Sequence, residues 1–185
     1  MTRPIVTLMT DFGLKDPYVA EMKGVILDIC PSAEIVDVSH EIEKFNTRMG
    51  AYVLASASPY FPKGTINVAV VDPRVGTERR GLCIETARGY FIGPDNGVLV
   101  LAARAQGIKH VRVIKNAKFL LPNVSHTFHG RDVFALLRLT WPTASTLQIL
   151  GLKRGRWSFQ NLGKLSRTRI ESQAKFFMWT ILEMW

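Results

Sequence analysis

Residues 66–80 read INVAVVDPRVGTERR. Five of the first six are apolar, Asn67 being the exception, and most are β-branched, the pattern of a short strand buried on both faces. The carboxylate of Asp72 ends that run. A Pro-Arg-Val-Gly-Thr turn follows, then Glu78 and two cations, Arg79 and Arg80. In open α/β sheets, ligands bind just beyond the carboxyl ends of the parallel strands. Asp72 therefore stands where a reacting group would be placed, with Arg79 on the same loop. A plainer reading also fits this stretch: a strand end closed by an Asp turn, with a solvated arginine pair.

Outward from this strand the chain alternates between two periodicities. Residues 5–9 (IVTLM) predict a first strand and residues 34–38 a second. Between them, Val19, Met22, Ile26 and Ile29 fall at helical spacing over residues 18–30, and Pro31 stops the helix. Residues 47–58 predict a second helix, with Pro59 and Pro62 beyond it. Residues 81–86 and 90–93 predict a hairpin across Ala87, Arg88 and Gly89. Residues 98–105 predict a helix and residues 110–114 a strand. The order implies an α/β domain whose largely parallel or mixed sheet has helices on its faces.

Composition sets the class. A chain of 185 residues with 47% hydrophobic and 21% charged residues can build one domain with a sizeable core. Cys30 and Cys83 lie in apolar contexts, which predicts buried thiols and a reducing, cytoplasmic setting. Asp11 interrupts the first apolar run, so no signal peptide is expected, and no run approaches the length of a membrane span. Residues 1–135 carry 16 Lys+Arg against 13 Asp+Glu, a net +3, whereas residues 136–185 carry 8 against 2, a net +6. All four tryptophans also fall after residue 135. This break divides the chain into an α/β domain, 1–135, and an atypical basic tail, 136–185.

Four loops after these elements are dense in polar residues: TDFGLKDPY (10–18), VDPRVGTERR (71–80), GPDNG (93–97) and TFHGRD (127–132). One such loop is unremarkable, but four in a small domain suggest a shared site. Asp11, Asp16, Asp72, Arg79, Asp95, Asn96 and His129 are its candidate members.

At these loops the chain resembles the S-adenosylmethionine (SAM) hydroxide adenosyltransferases, or SAM hydrolases, relatives of the fluorinase and chlorinase enzymes. The family pattern of a TDFG start followed by D-Y-V and MKG, a DPGVGT loop, a PDNG loop and an FHGRD loop is met in order and spacing over residues 4–135. A kinase DFG is excluded, because no glycine-rich loop precedes it and no HRD loop exists.

The resemblance implies that water attacks C5′ of the ribose of SAM and releases adenosine and methionine. Asp72, Arg79 and His129 match the family's water-activating set. The sulfonium leaves as a neutral thioether and needs no general acid, so the help must go to the nucleophile. Asp16 matches the carboxylate that takes the ribose hydroxyls, with Asp11 and Phe12 on the same loop. Phe45 stands where family members place an aromatic against the ribose. For Phe45 and Phe128 a packing role is an open alternative, and for Asp95 and Asn96 a tight turn ending at Gly97. SAM is the expected small-molecule substrate, with no resident cofactor or metal. The halogenases lack the Asp72 carboxylate, so water is favoured over halide. Arg74 stands where the family usually has glycine; a positive φ there would cost about 1–2 kcal/mol.

Family members are homotrimers whose second, β-rich domain supplies the adenine contacts. Nothing after residue 135 resembles that domain, so a truncated chain with impaired catalysis is the serious rival reading. A shifted reading frame accounts for the tail: with codons begun one base early, residues 137–153 can encode PAAYLANGVNPSDLGPE and residues 178–185 HVDNLGNV. Both resemble family segments in one register. An intact frame in the encoding DNA, with no shift partner, would end that idea. A metal hydrolase using His126, His129 and Asp132 fits less well, because His-x-x-His in a loop is not the helical zinc arrangement. Nucleic-acid binding would rest on the basic tail alone. Neither GxGxxG nor GxxxxGK[ST] occurs.

Overall fold

A computed structural model describes residues 3–114 together with Gly130 and Phe134. The elements in chain order are β1 (Ile5–Thr10), α1 (Tyr18–Ile29), β2 (Glu34–Ser39), α2 (Thr47–Ala57), a short 3-10 turn (Ser58–Tyr60), β3 (Thr65–Val70), β4 (Gly81–Thr86), β5 (Gly89–Pro94), α3 (Val100–Ala105) and β6 (Ile108–Ile114). Every element expected from periodicity over residues 3–114 is present. Among the described residues, no helix is long and apolar enough to cross a membrane.

The six strands lie in the order β2-β1-β3-β5-β4-β6. β1 pairs in parallel with β2 and β3, and β3 in parallel with β5. β4 runs antiparallel between β5 and β6. The carboxyl ends of β1, β2, β3 and β5 therefore share one edge with the start of β4. The loop 71–80 leaves β3 and passes the end of β5 before it enters β4.

Alternation along the strands divides the core in two. Val6, Leu8, Val68, Val70, Cys83 and Ile92 face Met22 and Ile26 of α1, with Phe134 on the same side. Met9, Ala69, Val71, Leu82, Ile84 and Phe91 face Leu54 of α2 and the Leu99–Ala103 region of α3. α2 starts where the side chain of Asn46 accepts a hydrogen bond from the Met49 backbone N–H at 3.0 Å, an N-cap.

The position of β5 beside β3 is explained by two glycines. A Cβ on Gly89 would stand 2.3 Å from the Thr65 carbonyl oxygen, and one on Gly93 would stand 2.2 Å from that of Ala69. Only glycine permits this approach of β5 to β3.

Three expectations need correction. α3 begins at Val100 rather than at residue 98, because Gly97 (φ +100°) and the Asn96 side chain, which accepts from the Val98 N–H at 3.2 Å, form a turn there. Cys30 is half-buried, not buried, because it caps α1 at its exposed end; Cys83 is buried. Arg74 is not among the residues with positive φ, so its presence in place of glycine carries no such strain; the positive φ in that loop belongs to Gly76 (φ +79°).

Gly93→Ala is expected to destabilise the domain by about 3 kcal/mol, because its methyl meets backbone rather than a flexible side chain. Gly24→Ala has nothing within 4 Å of its Cβ on α1 and should stabilise by about 0.5–1 kcal/mol. Urea unfolding of the two variants beside the parent chain measures both.

Candidate active site

The parallel strand β3 delivers Asp72 to the carboxyl edge of the sheet. There its carboxylate meets Arg79 from the far end of the same loop. Asp72 Oδ2 accepts from Arg79 Nε at 2.6 Å and lies 2.5 Å from Arg79 Nη2. The two side chains are only 4% and 5% exposed. Asp72 Oδ1 accepts the Arg74 N–H at 3.2 Å, closing an Asx turn. The ring of Phe134 covers the Arg79 guanidinium, with Cζ 5.2 Å from the ring centroid.

The GPDNG loop braces this pair from β5. Asn96 Nδ2 donates to the carbonyl of Val71 at 2.7 Å, at the peptide that leads into Asp72. Asp95 Oδ2 accepts from Arg80 Nε at 2.9 Å and Nη2 at 2.5 Å, and the Asp95 N–H returns to the Arg80 carbonyl at 2.9 Å. Asp95 and Asn96 thus hold the loop 71–80 by side chain and main chain.

The TDFG loop joins from β1. Asp11 is buried at 7% exposure, and its Oδ2 accepts the Phe45 N–H at 2.8 Å. Burial pushes its carboxyl pKa up, and the Asp72 charge adds to that rise; the Phe45 N–H, its own N–H and Lys44 oppose it. Phe45 adopts a left-handed backbone (φ +63°) and leaves its ring 57% exposed. Phe12 packs its ring edge-on to Tyr18, with centroids 6.0 Å apart, and lies against the α1-side core. Gly130 fits beside it: a Cβ there would meet Phe12 Cζ at 3.2 Å and Met22 Sδ at 3.3 Å.

Known proteins can be set beside this geometry. The family model for the SAM hydroxide adenosyltransferase N-terminal domain matches residues 6–151. The chain belongs to that family. It is 49% identical over 138 residues to a protein of Methanocaldococcus jannaschii named (R)-S-adenosyl-L-methionine hydrolase, covering 72% of this chain and 51% of that one. A fluorinase of an Actinoplanes species is 28% identical over 156 residues, covering 72% and 52%. An uncharacterised conserved protein of Thermotoga maritima, solved by crystallography, superposes with a TM-score of 0.69 at 46% identity, over 71% of this chain and 51% of that one. The chain spans about half the length of the curated relatives it matches.

The family's loops from β1, β3 and β5 are thus brought to one edge. Asp72, Arg79, Asp95 and Asn96 sit there on loops in mutual contact, and Asp11 lies near enough to feel the Asp72 charge. Asp16 lies exposed on the first loop. Phe128 and His129 fall outside the described residues, as do His126 and Asp132. Phe134 was missed in the sequence, although it stands just beyond FHGRD. A second omission is His40, which follows β2 as the other polar loops follow their strands. Its Nδ1 lies 2.9 Å from Thr10 Oγ1, its Nε2 3.1 Å from Asp37 Oδ1, and its carbonyl accepts the Gly13 N–H at 2.8 Å. This chain of contacts, buried at Thr10 and His40, ties the TDFG loop to β2.

The raised Asp11 pKa gives a signed prediction. Below the ordinary value of 3.8 both folded and unfolded chains hold the proton. As pH rises through that value the unfolded chain ionises first, so stability falls until the folded carboxyl also ionises. Asp11→Asn cannot ionise and lacks that fall. Urea unfolding at about pH 3 and about pH 7 should show wild type losing stability relative to Asp11→Asn as pH rises. A constant difference between the two proteins would contradict it.

Proposed function

We propose that this chain carries the water-activating half of an active site that hydrolyses S-adenosyl-L-methionine to adenosine and L-methionine. The buried Asp72–Arg79 pair at the carboxyl edge of the sheet is the observation that carries the reading. Water attacks ribose C5′, the C5′–S bond breaks, and the sulfonium takes the bonding pair and departs as a neutral thioether. The proton lost by the water passes to Asp72. Among the described residues Oδ1 of Asp72 receives only the Arg74 N–H, which leaves lone-pair capacity for a water. Arg79 supplies positive charge beside the developing hydroxide and lowers its cost. His129 is assigned as the third member of the set, hydrogen-bonding to the pair or to the water.

The ribose hydroxyls fall to the carboxylates of the first loop. Asp16 is exposed to solvent there and Asp11 is buried near Asp72. Asp95 and Asn96 shape the pocket from the side by holding the loop 71–80. Water is favoured over halide because Asp72 is present and the hydrolase relatives are 41–49% identical against 27–28% for the fluorinases. A homotrimer is proposed as the working assembly, supported by exposed Leu14, Tyr18 and Phe45 around the site loops. Residues 136–185 are proposed to derive from a shifted reading frame, which DNA sequencing tests.

In a version of the protein that carries the family's second domain, incubation with SAM should yield adenosine and methionine in equal amounts, followed by chromatography, with no 5′-halogenated nucleoside when chloride or fluoride is added; the 185-residue chain itself should bind SAM weakly and hydrolyse it slowly or not at all. Asp72→Asn should lower the rate by about 10²–10⁴-fold while SAM still binds, because the carboxylate acts on the nucleophile. Asp11→Ala and Asp16→Ala should instead weaken binding, read by isothermal titration. Equal loss of affinity in all three variants, with turnover of bound SAM intact, would refute this division of roles.

A further inference from the structure

We infer that His40 is a positioning residue for the first site loop: its imidazole, protonated at Nε2, accepts the Thr10 hydroxyl at Nδ1 and so fixes the backbone that carries Asp11. The inference rests on the reading of Asp11 and Asp16 as the carboxylates that take the ribose. His40 is 4% exposed and Thr10 is 0% exposed, where the ends of β2 and β1 adjoin. His40 Nδ1 stands 2.9 Å from Thr10 Oγ1. Nε2 stands 3.1 Å from Asp37 Oδ1, close but off the line of a full hydrogen bond. Lys23 Nζ donates to the other oxygen of Asp37 at 2.6 Å. Burial raises the Asp37 pKa, but the Lys23 and His40 contacts together outweigh it and keep the carboxyl ionised. At the other end, Thr10 Oγ1 accepts the Phe12 N–H at 3.2 Å.

These contacts decide where the proton sits. A neutral imidazole has one N–H to place. On Nε2 it faces the Asp37 carboxylate and leaves Nδ1 as an acceptor. The Thr10 hydroxyl then donates to Nδ1 and keeps its lone pairs for the Phe12 N–H. On Nδ1 it would turn a ring lone pair towards a carboxylate oxygen, and the buried Thr10 hydroxyl would find no acceptor among the described residues. A buried donor without a partner is the costlier state. The main chain of the same residue adds a second grip, for the His40 carbonyl accepts the Gly13 N–H at 2.8 Å. Ring and carbonyl thus bracket Asp11 and Phe12 between Thr10 and Gly13. Gly13 turns the chain there at φ +70°, a conformation that glycine does not itself enforce, so these contacts set the direction of the loop. His40 acts on the ribose-binding loop, so substrate binding should respond to it rather than the chemical step.

The proton is read first, in the unmodified 185-residue chain with labelled histidines, so that no variant has to fold. At about pH 8, above the ordinary range of histidine, long-range imidazole nitrogen–proton correlations should show His40 protonated at Nε2 and bare at Nδ1. A proton on Nδ1 overturns the assignment. Two variants then separate the nitrogens. In His40→Asn the amide oxygen takes the place of Nδ1, whereas in His40→Gln the amide reaches towards Nε2 and leaves Thr10 without its acceptor. Hydrogen exchange of the Phe12 amide should speed by about tenfold in Thr10→Val and His40→Gln, the factor for a hydrogen bond of about 1.4 kcal/mol, and by less than about threefold in His40→Asn. The Ile84 amide, in the core of β4, is the control. Equal effects of the Asn and Gln variants, or an equal change at Ile84, overturn the assignment. In the version that carries the second domain, His40→Gln should raise the KM for SAM by about tenfold at nearly unchanged kcat, and His40→Asn should restore most of it. A fall in kcat with KM unchanged overturns the bearing on the ribose-binding loop. Absence of hydrolysis by that unmodified version would count against the proposed function alone, since proton position and exchange are read without substrate.

Discussion

The site hangs on one buried ion pair. Taking Asp72 and Arg79 out of water costs several kcal/mol per ion, and their attraction offsets this only where the remaining hydrogen-bonding capacity is met. The structure supports the pair from three sides and, among the described residues, leaves a lone pair of Asp72 Oδ1 open. The Arg74 N–H closes on Oδ1, Asn96 fixes the Val71 peptide, and Phe134 lies on the guanidinium. Removing Arg79 would leave the Asp72 carboxylate buried without its charged partner, a loss of about 3–5 kcal/mol. Such a pair is a poor device for stability alone, since apolar residues of similar volume would serve as well. Its retention at the end of a parallel strand suits a site where charge must be held ready and out of solvent.

Strand order is what makes the pair possible. Because β5 lies between β3 and β4, the chain leaving β3 must cross the end of β5 to begin β4. That crossing is the loop 71–80, and it brings Arg79 back over Asp72. It also brings Arg80 to Asp95 at the end of β5, where side chain and main chain clasp each other. Gly89 and Gly93 are the requirement beneath this arrangement, for a side chain at either would push β5 away from β3. A packing rule in the sheet thus sets the geometry of the loop above it.

Much of this was legible in the sequence, and what was not has a physical cause. The elements and their order followed from periodicity, because both core faces are apolar and the turns carry Gly, Pro or Asn, although the starts of α3 and β6 did not. Strand order was not legible, since alternation tells which face a residue takes and nothing about which strand lies beside it. Gly93 was visible as part of GPDNG, yet its role is a backbone approach that only the pairing shows. Asp72 and Arg79 were legible through the polar loop and the family pattern. Asp11 and Asp16 were both legible as site candidates, but not which of them is buried, because burial is not written in local sequence. Phe134 was not singled out in the sequence, because its contact to Arg79 joins segments far apart in the chain.

Charge balance decides what the carboxylates can contribute to the proposed reaction. SAM brings a sulfonium whose positive charge disappears as C5′–S breaks. A carboxylate that merely attracts that charge would bind the ground state more tightly than the transition state, and so would not speed the chemical step. Pairing Asp72 with Arg79 removes most of that misplaced attraction, because the ion pair is nearly neutral when seen from the sulfonium. What grows during the reaction is acidity at the attacking water, and there a carboxylate oxygen with an open lone pair gains strength as the proton moves. Arg79 acts in the same direction by favouring hydroxide character. The buried pair is therefore suited to reward the nucleophile rather than the leaving group, which is the end of this reaction that requires help.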